Sequence, residues 1–164
     1  MITMTLNYRG LASLPKKLAV RRLIVEHIVE VLFLQETMCV GELLVSEMES
    51  MNHGWKFLSV DARGKYGGLL LGWRMRHFQL INAWAFGYGL CASLHSIELK
   101  MTIVCLNLYG PYVDRELFWI NLLKMEGLLS SKLILGGDLN YSVGLSEIWG
   151  DKARFDNLSD FFIK

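Results

Sequence analysis

The sequence predicts an α/β domain, and three observations support this. Apolar residues make up 52% of the 164 residues, enough for one sizeable hydrophobic core. Near both ends of the chain, short apolar runs typical of buried strands alternate with segments whose apolar residues recur at helical spacing. Between them, several strand-like runs follow one another with only short turns, which favours antiparallel neighbours.

Composition and charge narrow the class of protein. A net charge of +1 gives no overall basic surface, so any contact with nucleic acid has to be local. Three widely spaced cysteines without a CxxC motif favour a reducing compartment and argue against structural zinc. No apolar run reaches the roughly 18 residues of a membrane span, and the N-terminus is unlike a signal peptide. We therefore expect an intracellular protein, nuclear or cytoplasmic, with no membrane partner.

Two strand–helix pairs open the chain. The predicted strands are Ile2–Leu6 and Val29–Leu34, and the predicted helices begin near Pro15 and span Gly41–Met51. The first helix is expected to bury one face, formed by Val20, Leu23, Ile24 and His27. We interpret that histidine as lying at the edge of the core rather than as a ligand. Both strands end at polar residues, Asn7 after the first and Glu36 after the second.

The middle of the chain is rich in strands. The predicted strands are Trp55–Val60, Leu69–Trp73, Phe78–Trp84, Leu90–Leu99 and Thr102–Leu108. Neither His77 nor His95 has an acidic partner in its own motif, and we interpret all four histidines as structural. Tyr109 stands at the exit of the last of these strands. A helix follows, with Asp114 as its N-cap and an apolar face of Phe118, Leu122, Met125 and Leu129.

The segment Lys132–Asn140 is the most informative of the chain. Its apolar run Leu133–Leu135 is typical of a strand covered on both faces, and the pair Gly136–Gly137 ends the run. Asp138 and Asn140 follow two residues apart, so in an extended chain both side chains point the same way. A carboxylate and an amide there suit a hard cation or a phosphate oxygen. The alternative is an ordinary turn, because Asp and Asn favour turns by bonding their own backbone.

The polar strand exits resemble those of a known family. The motifs are Asn7-Tyr-Arg-Gly-Leu11, Leu34-Gln-Glu-Thr37, Asn107-Leu-Tyr-Gly-Pro111 and Gly137-Asp-Leu-Asn140, with Gly67-Gly68-Leu69 before Trp73 as a weaker match. In this order they resemble the endonuclease/exonuclease/phosphatase superfamily, also called deoxyribonuclease-I-like. The stretches Gly144–Gly150 and Leu158–Phe162 resemble the endonuclease domain of plant LINE-type (non-LTR) retrotransposons in particular.

This resemblance implies a fold and a chemistry. The fold would be a four-layer α/β/β/α sandwich with two mixed, mainly antiparallel sheets. The activity would be hydrolysis of a phosphodiester, with DNA as the substrate and a metal-activated water as the nucleophile. By resemblance, Glu36 would bind Mg²⁺, or Mn²⁺ in its place, with Asn7 close to the metal. Asp138 would orient or deprotonate the attacking water, and Asn140 and Tyr109 would hold the phosphate oxygens.

The sequence also departs from the family pattern. Members of the family carry a further Asp and a Ser-Asp-His motif, whereas here Ser159-Asp160 is followed by Phe161. We therefore expect residues 1–164 to be the N-terminal part of a single domain, incomplete at the C-terminus, and a monomer or an aggregation-prone fragment. Two alternatives remain: a catalytically inactive remnant that at most binds metal or nucleic acid, and a phosphatase of the same fold.

Overall fold

The computed structural model describes residues 1–62, 67–125, 128, 132–142, 144–150, 154 and 156–158. The strands are β1 Thr3–Asn7, β2 Val31–Gln35, β3 Trp55–Val60, β4 Leu69–Arg74, β5 Phe78–Phe86, β6 Gly89–Ser96, β7 Met101–Tyr109 and β8 Leu133–Asp138. The helices are α1 Leu14–Glu26, α2 Gly41–Met51 and α3 Arg115–Leu123, and a short 3₁₀ turn follows at Leu145–Glu147.

The strands form two mixed sheets of four. The first sheet has the order β1-β2-β4-β3 and the second has the order β5-β6-β7-β8. Each contains one parallel pair, β1 with β2 and β7 with β8, and all other pairs are antiparallel. The predicted class, an α/β sandwich with two mixed and mainly antiparallel sheets, is confirmed.

Three groups of buried side chains hold the layers together. Phe33, Leu71 and Leu94 belong to the group between the two sheets. Helices α1 and α2 cover the outer face of the first sheet through residues such as Val20 and Met48. Helix α3 covers the second sheet, where its buried residues Phe118, Trp119 and Leu122 meet Leu106 and Leu108 of β7. The order of layers is therefore helix, sheet, sheet, helix.

One strand connection was predicted wrongly. Short turns in the middle of the chain led us to expect that all successive strands there are antiparallel neighbours. The turn between β4 and β5 instead carries the chain from the first sheet to the second, so these two strands do not pair. Because a chain can cross between stacked sheets in a few residues, turn length alone does not identify the partner strand.

The strand β8 also differs from the prediction. It continues through both glycines to Asp138, and among the described residues it pairs only with β7. Leu135 is exposed and Ile134 is half-buried, so the run is not covered on both faces. A Cβ atom at Gly137 would overlap the backbone carbonyl of Leu108, which explains why the sequence has glycine at that point in the pair.

Two predictions about the helix faces are wrong, those for His27 and for Met125. His27 lies just beyond the C-terminal end of α1 and is exposed, whereas the buried residues of that helix include Val20 and Ile24. Asp114 occupies the N-cap position of α3 as predicted, but its backbone is left-handed, with a φ of 53°, and its side chain makes no capping hydrogen bond. Helix α3 ends at Leu123, so Met125 lies outside it, and Leu129 lies outside the described residues.

In the part of the chain that the structure describes, no helix has the length and apolarity that a membrane crossing requires. The cysteines Cys39, Cys91 and Cys105 are free. Burial raises the pKa of both Cys91 and Cys105 to about 12, so these two thiols stay protonated at neutral pH.

Candidate active site

The polar strand exits meet at one end of the sandwich. In the parallel pair of the first sheet Asn7 is opposite Gln35, and in that of the second sheet Tyr109 is opposite Asp138. Glu36 follows β2 directly. Parallel neighbours end at the same edge of a sheet, and here the corresponding edges of the two sheets are stacked on each other. The fold therefore brings the predicted residues together from four strands.

Asn7 connects the two acidic residues of the site. Its Nδ2 donates a hydrogen bond of 2.8 Å to Oε1 of Glu36 and another of 2.6 Å to Oδ2 of Asp138. Both amide hydrogens are thus directed at carboxylate oxygens. A neutral donor between two anions reduces their mutual repulsion and fixes how far apart they stand.

The two carboxylate oxygens of Glu36 have different surroundings. Oε1 accepts hydrogen bonds from Asn7 and from the Tyr109 hydroxyl, the latter at 2.8 Å. Oε2 lies 3.9 Å from Nε of Arg9, whose side chain is 81% exposed. Glu36 itself is buried, with 8% of its surface exposed. Oε1 is therefore held by hydrogen bonds within the protein, and Oε2 faces the exposed side chain of Arg9.

The backbone at Glu36 is held in an unusual conformation. Its φ is 54°, which is rare for a residue with a side chain. Its carbonyl accepts a 2.6 Å hydrogen bond from the N–H of Gly10, and the next residue, Thr37, donates to the carbonyl of Gly68 at 3.2 Å. A Cβ at Gly67 would lie 2.8 Å from the Glu36 Cα. Strain held by neighbours on both sides is typical of functional positions.

Tyr109 contributes a buried hydroxyl group to the site. It is buried, donates to Glu36, and has its oxygen 3.0 Å from the hydroxyl of Tyr112. Burial is the main cause that raises the pKa of Tyr109, and the hydrogen bonds with Tyr112 and Glu36 raise it further. The hydroxyl is therefore a neutral hydrogen-bond donor at physiological pH. Sequence reasoning missed Tyr112, because no pattern in the sequence links its hydroxyl to that of Tyr109.

Asp138 and Asn140 do not form the extended pair that we expected. The strand ends at Asp138, and Asn140 has a left-handed φ of 47°. The N–H of Asn140 donates to Oδ1 of Asp138 at 3.0 Å, which is the turn contact that the alternative interpretation predicted. The amide of Asn140 donates to the carbonyl of Gly110 at 2.6 Å. The turn and the site coexist, because the other oxygen of Asp138 still faces Asn7.

A buried amide pair lies beneath the site and joins the two sheets. Nε2 of Gln35 donates to Oδ1 of Asn107 at 2.6 Å. The Asn107 amide in turn donates to the carbonyls of Leu34 and Leu70 at 3.1 and 2.9 Å. Asn107 is fully buried and precedes Tyr109 by two residues, and Gln35 directly precedes Glu36. The Gln35–Asn107 pair therefore fixes the position of the C-terminal end of β2 relative to that of β7.

All four histidines lie at the other end of the strands. His27 follows α1 before β2 begins, and His53 precedes β3. His77 precedes β5, and His95 is opposite Thr102, near the start of β7. His77 is 3.4 Å from Glu30. None of them is at the edge that carries Glu36, so the described cluster has no imidazole to move a proton.

The donor set fits a hard divalent cation such as Mg²⁺. It offers oxygen atoms from Glu36, Asp138 and Asn7, and Mg²⁺ is bound in proteins through one or two carboxylates with several waters. The Oδ1 of Asn7 is buried and has no hydrogen-bond partner among the described residues. The lone pairs of this oxygen are therefore not engaged by a described donor and are suited to a cation. Within the same residues, no group of three His, Cys, Asp or Glu side chains could hold a metal, so any ion here would rely on water ligands.

Comparison with known structures identifies the fold class. No protein-family model and no curated protein matches the chain. Solved structures do match, and one is an endonuclease/exonuclease/phosphatase family protein from Bacteroides thetaiotaomicron. It has a TM-score of 0.65 and 14% sequence identity, covering 85% of this chain and 61% of that one. The chain thus has the fold of the endonuclease/exonuclease/phosphatase proteins.

Two further matches are structures of D. rerio TDP2 and of ANGEL2. D. rerio TDP2 complexed with single-strand DNA product matches with a TM-score of 0.63 and 15% identity, over 85% of this chain and 60% of that one. ANGEL2, described as a 2′,3′-cyclic phosphatase, matches with a TM-score of 0.63 and 15% identity, over 98% and 55%. The present chain thus spans about three fifths of the length of these structures. The motif position Ser159-Asp160-Phe161 lies outside the described residues.

Proposed function

We propose that this chain is a metal-dependent phosphodiesterase domain of the endonuclease/exonuclease/phosphatase type, with DNA as its substrate. One observation carries the proposal: Asn7, Glu36, Tyr109 and Asp138 come from four strands and form one hydrogen-bonded cluster. The fold shared with TDP2 and ANGEL2 adds support.

The proposed roles follow from the contacts of each side chain. Asp138, held by Asn7 and by the Asn140 N–H, orients an attacking water and accepts its proton. Tyr109 is proposed to donate its hydroxyl hydrogen to a phosphate oxygen once that hydrogen leaves Glu36, and Arg9 supplies a positive charge at the open side. Glu36 and the Asn7 Oδ1 would hold the cation, which when bound would stabilise negative charge on the phosphate.

We further propose that the domain is an endonuclease of the retrotransposon type, which the motifs after Asn140 support. We also propose a nuclear or cytoplasmic location. In addition, we propose that residues 1–164 belong to a single domain, and the matched structures are longer than this chain. Asn140 is proposed to contact phosphate once its amide leaves the Gly110 carbonyl.

The test is cleavage of supercoiled plasmid DNA in Mg²⁺ or Mn²⁺ together with calorimetric titration of the metal. Glu36→Gln is expected to abolish Mg²⁺ binding and nicking, because it removes the charged ligand. Asp138→Asn is expected to lower nicking by about 10²–10⁴-fold through loss of the proton acceptor. Glu98→Gln is the matched control, since Glu98 is exposed in the turn between β6 and β7, at the opposite end of the strands. Equal nicking by Glu36→Gln and the parent chain would refute the proposal.

A second candidate function is favoured by the missing imidazole. A cluster without a general acid can bind Mg²⁺ and DNA yet cleave slowly, as a remnant of an enzyme would. Metal binding that Glu36→Gln abolishes, in a parent chain that does not nick DNA, would favour this candidate. Hydrolysis of small phosphomonoesters in preference to DNA would instead favour a phosphatase.

A further inference from the structure

We propose that Tyr112 is a specificity-determining residue whose ring stacks on a nucleobase next to the phosphate held by the site. The inference rests on the proposed phosphodiesterase function and adds to it a preference for substrates that carry bases. Tyr112 belongs to the loop between β7 and α3 and is 59% exposed.

The ring of Tyr112 is exposed but held in place. Its hydroxyl oxygen is 3.0 Å from that of Tyr109, and the two rings pack edge to face with centroids 6.3 Å apart and planes at 79°. Tyr109 is buried, so the exposed ring of Tyr112 packs against a side chain that is itself held in place. An aromatic surface that is already ordered loses little entropy when a planar ligand stacks on it.

Hydrogen-bond accounting fixes the direction of this contact. A tyrosine hydroxyl has one hydrogen, and Tyr109 donates its hydrogen to Oε1 of Glu36. Tyr112 must then be the donor in the bond between the two hydroxyls. Its polar end is directed at the site, which leaves the ring rather than the hydroxyl to meet a ligand from solvent.

The surroundings of Glu36 match the chemistry of a nucleotide. Val113, beside Tyr112, is 73% exposed, and Met38, two residues after Glu36, is 54% exposed. Exposed apolar side chains therefore stand near a polar centre that has the cation Arg9 at its open side. A nucleotide offers the same combination of an anionic phosphate and a planar base, and single strands bind by stacking bases on aromatic side chains.

The experiment measures equilibrium binding of two fluorescein-labelled ligands in Ca²⁺ by anisotropy. One is a single-stranded DNA oligonucleotide, and the other is an oligomer of equal length built only from abasic residues. The variants are Tyr112→Ala, Tyr112→Leu and Tyr112→Phe, with Tyr8→Phe as a matched loss of a hydroxyl, since the Tyr8 hydroxyl bonds the Lys16 carbonyl instead. A melting curve of each variant verifies the fold.

We expect Tyr112→Ala and Tyr112→Leu to weaken binding of the base-bearing strand by about tenfold and to leave the abasic ligand unchanged. Tyr112→Phe and Tyr8→Phe should bind like the parent chain. An oligonucleotide containing 2-aminopurine should be quenched by the parent and by Tyr112→Phe, but not by Tyr112→Ala.

Four outcomes would overturn the inference. Equal weakening of both ligands would mean that Tyr112 acts only through the structure of the site. Tyr112→Phe binding as weakly as Tyr112→Ala would assign the effect to the hydroxyl. If the parent chain binds the base-bearing strand and all Tyr112 variants bind it equally well, this inference alone is refuted. If the parent chain binds neither ligand, the proposed function is refuted as well.

Discussion

At the scale of single residues, Asn7 determines the electrostatics of the site. Two carboxylates that approach each other normally compete for protons, because one charge disfavours the other. Here each carboxylate meets one hydrogen of the same amide, at 2.8 and 2.6 Å. The charged pair is stabilised without a cationic side chain in direct hydrogen-bonding contact, which leaves room for a metal ion to supply the positive charge.

Replacing Asn7 by Asp tests this account. The variant loses the shared donor and brings a third carboxyl group to Glu36 and Asp138, so we expect the free energy of unfolding at pH 7 to fall by about 1–3 kcal/mol. Urea denaturation at pH 7 measures this loss. Asn82→Asp is the control, since Asn82 is exposed on β5. Equal losses in both variants would contradict the account.

At the scale of elements, the close pairing of β7 and β8 determines where Asp138 stands. The backbone of Leu108 lies so near Gly137 that a side chain there would overlap its carbonyl. The adjacent pair in the register is Tyr109 with Asp138, so both site residues depend on this close approach. A wider separation of the strands would move the carboxylate relative to the phenol.

Gly137→Ala is therefore expected to lower the free energy of unfolding by about 1–3 kcal/mol or more, through overpacking against backbone. It should also weaken Mg²⁺ binding, because Asp138 shifts with its strand. The control is Gly87→Ala in the turn between β5 and β6, where a Cβ meets nothing within 4 Å. That variant should stay within about 0.5 kcal/mol of the parent in thermal denaturation. A Gly137→Ala protein as stable as this control would show that the strands adjust freely.

Helix α3 is tied to the segment after β8 by an ion pair. Nη2 of Arg115 is 2.6 Å from Oδ2 of Asp156, whose Oδ1 accepts from the N–H of Leu158 at 2.9 Å. Burial by itself would raise the pKa of Asp156, but the Arg115 guanidinium and the backbone donors of Leu158 and Ser142 lower it below its usual 3.8. A carboxyl whose pKa is lower in the folded chain stabilises the fold above its unfolded pKa.

Asp156→Asn should consequently cost about 1.5–3 kcal/mol of unfolding free energy at pH 6, where the parent carboxylate is fully charged. The difference between parent and variant should begin to shrink as the pH approaches 3.8 and should be lost as the pH falls through the lower pKa of the folded carboxyl. Denaturation at a series of pH values measures this. Asp114→Asn is the control, because Asp114 makes no capping bond. A difference that is constant with pH would exclude the charge as its source.

The sequence was most informative where the physical cause is local. The helix Gly41–Met51 and the strand Trp55–Val60 were predicted with their bounds, because side-chain periodicity reflects which face is buried. The change of sheet between β4 and β5 was not predicted, since the pairing of distant strands depends on how the sheets stack. The exposure of Leu135 likewise depends on which strands flank β8, and the residues of β8 alone do not indicate how many neighbours the strand has.

For the site, sequence identified the residues but not their contacts. Asn7, Glu36, Tyr109 and Asp138 stand out because each ends or follows an apolar strand. The hydroxyl contact of Tyr112 and the position of Arg9 arise from loops that fold back on the cluster, and no spacing rule describes such loops. The roles in metal binding and catalysis remain predictions.

At the scale of the whole molecule, the sandwich has two sides with different edge strands. One side ends in β3 and β5, and the other in β1 and β8. The pairing of β5 with β6 shifts register between Leu80 and Asn82, a bulge that makes this edge a poor template for further strands. No such shift interrupts β8, whose apolar run carries no charge before Asp138. In the described structure, the edge formed by β8 is therefore more open to pairing with another chain than the edge formed by β5.

Leu135→Lys tests whether this edge drives self-association. Leu135 on β8 and Leu80 on β5 are matched in exposure, at 37% and 38%, so the same substitution at each compares the two edges. A charge on an open edge opposes strand pairing between copies, since the lysines of stacked strands repel and must stay hydrated. We expect Leu135→Lys to lower the light scattering of concentrated chain at 37 °C and to leave the melting temperature within a few degrees of the parent. Leu80→Lys should leave the scattering unchanged, because the bulge already protects β5. Equal effects of the two substitutions would show that association follows general hydrophobicity rather than the β8 edge.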